Sequence, residues 1–322
     1  MNTIPFTVSF DALATLIQIT SGVGYQYRAA FSSFLQQHGI DLDAVCPNAT
    51  CEELDVMSMK ALREEIKADR ATWTTTDNPK EQPIGGDSDE TVLKFWGNVL
   101  TRTFQSPSLY EGAPPDVVAK VTSLLTVDTE SLRQFKRYVV FDLFQSTKTQ
   151  SWLPEGLRTL QSLREWNQKR VVESQSSQQD TANKLSSAPM LVLAAPPFVV
   201  SNMDPRVRTV FAQLGAFESG EDGMPPLLSR VIVARDMGLA KPSPLGLLTG
   251  VRDIAEARRA DGIPGEVEMR YHIHVGDAEA DRIACERAGC VYLKCDETIG
   301  ATWEQLRSKL EEMEASCRNR HQ

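Results

Sequence analysis

The sequence predicts an α/β fold: a parallel sheet with helices on both faces, interrupted by a long helical insertion. Three observations predict it. From about residue 190 onward, apolar runs of four or five residues alternate with helical stretches, the pattern of parallel strands joined by crossovers. One further strand-like run, residues 7–10, stands apart near the start and joins that sheet from a distance. Between about 17 and 150 no convincing strand is found, and the apolar spacing there is helical.

Taken in order, residues 7–10 read as a short buried strand. Residues 24–38 have helical spacing at Tyr27, Ala30, Phe31 and Phe34, and Gly39 is a stop. A charged amphipathic helix is expected over 52–70. The Pro/Gly/Asp-rich stretch 74–90 reads as a mobile loop. Helical patterns resume at 91–104, 115–126 and 130–144. After 151 a helix is expected over 155–168, then a polar, low-complexity insertion at 173–188 that is expected to be disordered. Strands are expected at 197–200, 230–234, 271–275 and 290–294, and helices at 205–214, 243–259, 279–288 and 301–316. The domain reading is therefore a core of 1–16 and 151–322, with a helical cap of 17–150 inserted after the first strand.

Composition narrows the function classes. With 322 residues and 41 % hydrophobic content the chain can build a sizeable core. Its net charge is −9 and it has no long Lys/Arg cluster, so neither a nucleic-acid nor an anionic-membrane surface is expected. No run nears the ~18 apolar residues of a membrane span. The opening MNTIPFTVSFD has neither a basic segment leading an apolar stretch nor an Arg-rich amphipathic pattern, which points to a cytoplasmic protein. The six cysteines form no C-x-x-C pair, so reduced thiols are expected rather than a zinc site.

In an open parallel sheet, ligands bind beyond the carboxyl ends of the strands. Asp11 follows the first strand, and Thr15 lies four residues on. Ser201 and Asn202 follow the second, a loop with Lys241 follows the third, and Asp277 with Asp281 follows the fourth. Acids, a hydroxyl and a lysine on one edge suit a divalent cation, a phosphoryl group and a nucleophile. His272 and His274 share one face of a strand and read as packing residues, as do Phe95 and Trp96 in the insertion.

In this order, "SFDALATL", "VVSNMD", "GLAKPSP" and "HVGDAEAD" resemble the four motifs of the haloacid dehalogenase-like (HAD) superfamily. The helical insertion resembles that family's first-type cap. "VGYQYRAAFSSFLQQHGIDLD", "FWGNVLTRTF" and "SWLPEGLRTLQSLREW" resemble its eukaryotic haloacid dehalogenase-like hydrolase domain-containing branch. The resemblance implies a Rossmann-like three-layer core with a closing cap. It implies Asp11 as a nucleophile forming an aspartyl-phosphate. Ser201, Asn202, Lys241 and Thr15 become phosphate contacts, with Lys241 also holding the nucleophile. Magnesium would sit on Asp11, the backbone carbonyl of Leu13 and Asp277, with Asp281 a direct or outer partner. The substrate would be a small phosphorylated molecule.

One departure matters. The family's phosphatases carry a second Asp two residues after the nucleophile, and here that position is Leu13. A general acid contributes roughly 10²–10⁴-fold in rate. Substrates with good leaving groups are therefore expected to fare better than alkyl phosphates. Two alternatives stand beside the phosphohydrolase: a phosphate-binding or scaffold pseudoenzyme, and a dehalogenase, against which the retained acids of "GDAEAD" argue.

Overall fold

The computed structural model describes residues 3–71, 85, 88–179, 189–220 and 223–319. The chain divides into two compact units. One comprises Met1–Gln18, Trp152–Asn202 and Leu214–Gln322. The other comprises Ile19–Ser151 and Met203–Gln213.

The first unit is built on a parallel sheet. Its strands are β1 (Thr3–Phe10), β4 (Met190–Leu193), β5 (Phe198–Ser201), β6 (Arg230–Val233), β7 (His272–Gly276) and β8 (Val291–Lys294). The order is β6-β5-β1-β7-β8, with β4 paired to the first half of β1. All of these pairings are parallel. The chain steps outward from β1 through β5 to β6, then returns to the other side of β1 for β7 and β8. The order thus reverses at β1, the kind of point at which open parallel sheets bind ligands. This is the Rossmann-like α/β architecture that the strand–helix alternation predicts.

Both faces of the sheet are covered, so its strands read as continuous apolar runs rather than alternating ones. On one face of β1, Phe6 meets Trp166 of α7 (Pro154–Gln179) edge to face at 5.9 Å. Helix α7 packs beside α12 (Trp303–Asn319), and Arg170 reaches both carboxylate oxygens of Glu314 at 2.6 and 3.1 Å. On the other face lie α10 (Leu245–Ala260) and α11 (Glu279–Ala288). There Phe198, Val200 and Ile232 pack with Leu247, Val251, Ile254, Ala284 and Cys285. Gly250 lets α10 approach so closely because a Cβ there would sit 2.1 Å from the Phe198 ring.

The short strand β4 was not expected from the sequence, because Pro196 and Pro197 interrupt the apolar run that contains it. The expected disorder at 173–188 is corrected in part. Helix α7 runs to Gln179, since adding a residue to an existing helix costs far less than starting one. Residues 180–188 lie outside the described residues, as does most of the 74–90 loop.

The second unit is helical. Its elements include α1 (Val23–Gln37), α2 (Leu42–Val45), α3 (Cys51–Ala71), α4 (Asp89–Phe104), α5 (Pro115–Thr126) and α6 (Glu130–Arg137). A π-helical turn with i→i+5 hydrogen bonding, Tyr138–Leu143, continues α6, where the sequence predicts one helix over 130–144. Helix α4 starts where Ser88 and Thr91 cap each other's backbone N–H groups. The core stacks aromatic rings, with Phe31 on Phe104 at 3.8 Å and Phe34 on Phe135 at 4.4 Å.

The expected core range 151–322 includes residues 203–213, yet these cluster with the helical unit. The reason is a polar clasp. Buried Asp204 accepts hydrogen bonds from Arg206 and, at 2.6 Å, from the Trp96 indole, while Arg206 also lies over the Trp96 ring. Two short strands, β2 (Ile17–Ile19) and β3 (Gln150–Trp152), pair separately. They fall at the edges of the stretch where no strand was expected, and three residues are too few to show a period. Among the described residues, no helix is long and apolar enough to cross a membrane.

Candidate active site

Asp11 leaves β1 at the point where the strand order reverses. Its backbone N–H donates to Val275 O at 2.8 Å, so the end of β1 stays tied to β7. A tight turn follows, in which Ala14 takes a left-handed conformation (φ 61°) and donates its N–H to Ile17 O. The Asp11 Oδ1 atom accepts from the Ala12 N–H at 2.8 Å and from the Lys241 ammonium at 2.9 Å. Oδ2 accepts no hydrogen bond among the described residues, which leaves it the oxygen able to attack or to bind a cation.

Lys241 is fully committed. Its three N–H bonds reach Asp11 Oδ1 at 2.9 Å, Asp281 Oδ1 at 2.5 Å and Val200 O at 2.9 Å. Burial would lower the ammonium's pKa, but the Asp11 and Asp281 carboxylates hold it above its ordinary value. The Asn202 amide fixes the Lys241 backbone from both sides: Oδ1 accepts from Lys241 N at 2.7 Å, and Nδ2 donates to Lys241 O at 3.1 Å. Ser201, at the end of β5 and 2 % exposed, lines one small cavity with Asn202 and Lys241.

Asp281, wholly buried, lies in the first turn of α11. Its Oδ1 also accepts from His274 Nε2 at 3.0 Å, and its Oδ2 accepts from the Ala278 N–H at 3.2 Å. Burial would raise this carboxyl, but Lys241 and the His274 hydrogen bond hold it well below the usual carboxylate range. Gly276 makes room for it, since a Cβ there would lie 2.5 Å from Asp281 Oδ2.

Asp277 is half-buried and completes a triad. Asp11, Asp277 and Asp281 each place a carboxylate oxygen within 4.8 Å of the others. Thr15, buried, donates to Asp277 Oδ1 at 3.4 Å and lies 3.5 Å from the Cys295 sulfur. Burial first, and then the charges of Asp11 and Asp281, raise the Asp277 carboxyl above its ordinary value. Three carboxylates thus cluster beside one ammonium, which bonds two of them. That excess of negative charge on oxygen donors fits a hard divalent cation such as magnesium.

A carboxyl raised in the folded state binds its proton more tightly there than in the unfolded chain. The metal-free fold therefore loses stability as pH rises from the ordinary carboxylate value through the folded one, and the full penalty remains at neutral pH. Asp277→Asn removes it. Without metal at pH 7, this variant is expected to melt at a higher temperature than the wild type. The same variant is expected to lose the stabilisation that magnesium gives the wild type. Thermal melts with and without magnesium check both.

The structure thus brings Asp11, Thr15, Ser201, Asn202, Lys241, Asp277 and Asp281 to one edge of the sheet. Leu13 lies in the same turn, 36 % exposed and without a polar side-chain atom. Ser9, His272 and His274, which the sequence does not single out for the site, sit directly behind Asp281. A signal was present, because Thr7 and Ser9 in β1, and His272 and His274 in β7, each stand two positions apart and so on one face of their strand.

Neither a family model nor a curated relative matches the chain. Among solved structures, it is similar to the HAD-hydrolase YfnB from Bacillus subtilis, described as bound to magnesium (TM-score 0.47, 11% identity). That match covers 96% of this chain and 100% of the other. It is also similar to a 2-haloacid dehalogenase from Pseudomonas syringae pv. Tomato (TM-score 0.45, 16% identity), covering 97% and 100%. At this level of similarity no residue's role passes from those proteins to this one.

Proposed function

We propose that the chain is a HAD-like, magnesium-dependent phosphohydrolase with Asp11 as nucleophile. The observation that supports this best is the Lys241 ammonium seated between Asp11 and Asp281, with Asp277 beside them. A scaffold protein has no physical need for three carboxylates around one buried lysine, because burying charge costs stability. The same acids argue against dehalogenation, in which no anionic phosphoryl group has to be met.

The steps follow from the residues. Asp11 Oδ2 attacks phosphorus, and the bond from phosphorus to the leaving oxygen breaks, its electron pair departing with that oxygen. Lys241 holds Asp11 Oδ1 still and offsets charge on the phosphoryl oxygens. Ser201 supplies a hydroxyl at the same edge. Water then attacks phosphorus, the bond from phosphorus to Asp11 Oδ2 breaks, the water's proton passes to solvent, and phosphate leaves with Asp11 restored. Asp11, Asp277, the Leu13 carbonyl and, more distantly, Asp281 would hold magnesium, which supplies positive charge where like-charged groups meet. Leu13 cannot protonate a leaving oxygen. The substrate class is therefore one that leaves as a stable anion, an acyl or aryl phosphate.

Because Leu13 presents a bare apolar side chain where an acid would help, a second reading stands: a binding protein that keeps the site without turnover. Hydrolysis of acetyl phosphate and p-nitrophenyl phosphate separates the two. The enzyme reading expects release of phosphate that requires magnesium and is lost in Asp11→Asn. Equal, near-zero rates in both proteins favour the binding protein.

A further inference from the structure

Behind the site, the sheet face under α10 and α11 carries four polar side chains where packing alone would place apolar ones. Thr7 is in register with His272, and Ser9 with His274. All four are at most 1 % exposed. They make one continuous chain. Thr7 Oγ1 lies 2.8 Å from His272 Nδ1, and His272 Nε2 lies 2.9 Å from Ser9 Oγ. Ser9 Oγ lies 2.8 Å from His274 Nδ1, and His274 Nε2 lies 3.0 Å from Asp281 Oδ1.

The far end fixes the direction. Asp281 Oδ1 pairs with the Lys241 ammonium at 2.5 Å and Oδ2 accepts from the Ala278 N–H, so this carboxylate serves as an acceptor and His274 Nε2 carries a hydrogen. With a single hydrogen on each ring, one proton assignment then satisfies every atom. His274 Nδ1 accepts from the Ser9 hydroxyl, Ser9 Oγ accepts from His272 Nε2–H, and His272 Nδ1 accepts from the Thr7 hydroxyl. Burial, together with the neighbouring His274, keeps His272 uncharged, with its pKa pushed down to about 3. Phe198 stacks on the His272 ring at 5.5 Å and holds its plane. Each bond in such a run polarises the next toward Asp281.

We propose that Thr7, His272, Ser9 and His274 form a one-directional hydrogen-bond chain that fixes the Asp281 carboxylate, and through it the Lys241 ammonium, with His274 as the positioning residue. Asp281 carries no covalent tether to Lys241, and its carboxylate could swing about its own side-chain bonds. The His274 donor on one oxygen and the Ala278 N–H on the other remove that freedom. Lys241 then has one place to sit, and Asp11 Oδ1 is held at the end of the run. The consequence for catalysis rests on the phosphohydrolase reading, but the chain and its hold on Lys241 do not.

Two kinds of readout keep these apart. Nitrogen-15 NMR of the wild-type protein at pH 7 is expected to show both His272 and His274 as Nε2–H tautomers, and a Lys241 ammonium signal protected from exchange. In His274→Leu that signal is expected to vanish. In His274→Gln, whose amide N–H can still donate to Asp281, it is expected to return. With p-nitrophenyl phosphate and magnesium, kcat is expected to fall roughly 10–100-fold in His274→Leu, with KM nearly unchanged, and to recover most of that loss in His274→Gln. Ser9→Ala, which leaves the His274–Asp281 bond but removes its support, is expected to fall between. His272 found as the Nδ1–H tautomer, or a Lys241 signal indifferent to His274→Leu, overturns the chain. Wild-type protein that shows the expected NMR but hydrolyses nothing supports the chain and removes the phosphohydrolase reading instead.

Discussion

Lys241→Met is expected to cost the fold about 3–5 kcal/mol, the scale of leaving a buried charge without its partner. Lys241 is 6 % exposed, and Asp281, wholly buried, takes its charge partner from that ammonium. Methionine keeps most of the volume, so the loss reports the charge rather than a cavity. Urea unfolding at pH 7 measures it as a lower midpoint with an unchanged slope. Adding Asp281→Asn should recover part of the loss, because an amide at that position no longer needs a cation. A single-variant loss under ~1 kcal/mol would mean that water reaches the pair and that the site is far less dry than its burial indicates.

Leu13→Asp is expected to raise kcat on an alkyl phosphate such as β-glycerophosphate by about 10-fold or more. Leu13 lies in the turn that carries Asp11 and is partly exposed, so an acid there needs no space made for it. The gain on p-nitrophenyl phosphate should be smaller, since that leaving group departs readily without a proton. Steady-state kinetics on the two substrates gives the contrast directly. An equal gain on both, or none on either, would separate residue 13 from leaving-group protonation.

The sheet was legible in the sequence because its strands are buried on both faces and stand out as apolar runs between helical stretches. β5, β6, β7 and β8 fall within a residue or two of their expected limits for that reason. β4 was not legible, because the proline pair after it ends pairing on one part of β1 before β5 takes up the rest. The far part of α7 was hidden by its Ser/Gln composition, which reads the same in a solvated helix as in a coil. Asp11, Lys241, Asp277 and Asp281 were legible because each follows a strand end, and parallel topology brings strand ends together. What each contacts was not. Asn202 holds the Lys241 backbone, and Thr15 supports Asp277. These are contacts across 39 and 262 residues of sequence that only the folded sheet sets. The histidine chain was hidden for the same reason, since two alternating polar pairs become a wire only when β1 and β7 are in register.

As nucleophile, Asp11 becomes covalently phosphorylated during turnover. Mixing the protein with acetyl phosphate and magnesium, quenching in acid, reducing with borohydride and mapping the peptides tests it most directly. The modified residue is expected to be Asp11, the modification to require magnesium, and Asp11→Asn to carry none. Phosphate release without any modification of Asp11, or with the modification on another residue, would contradict it.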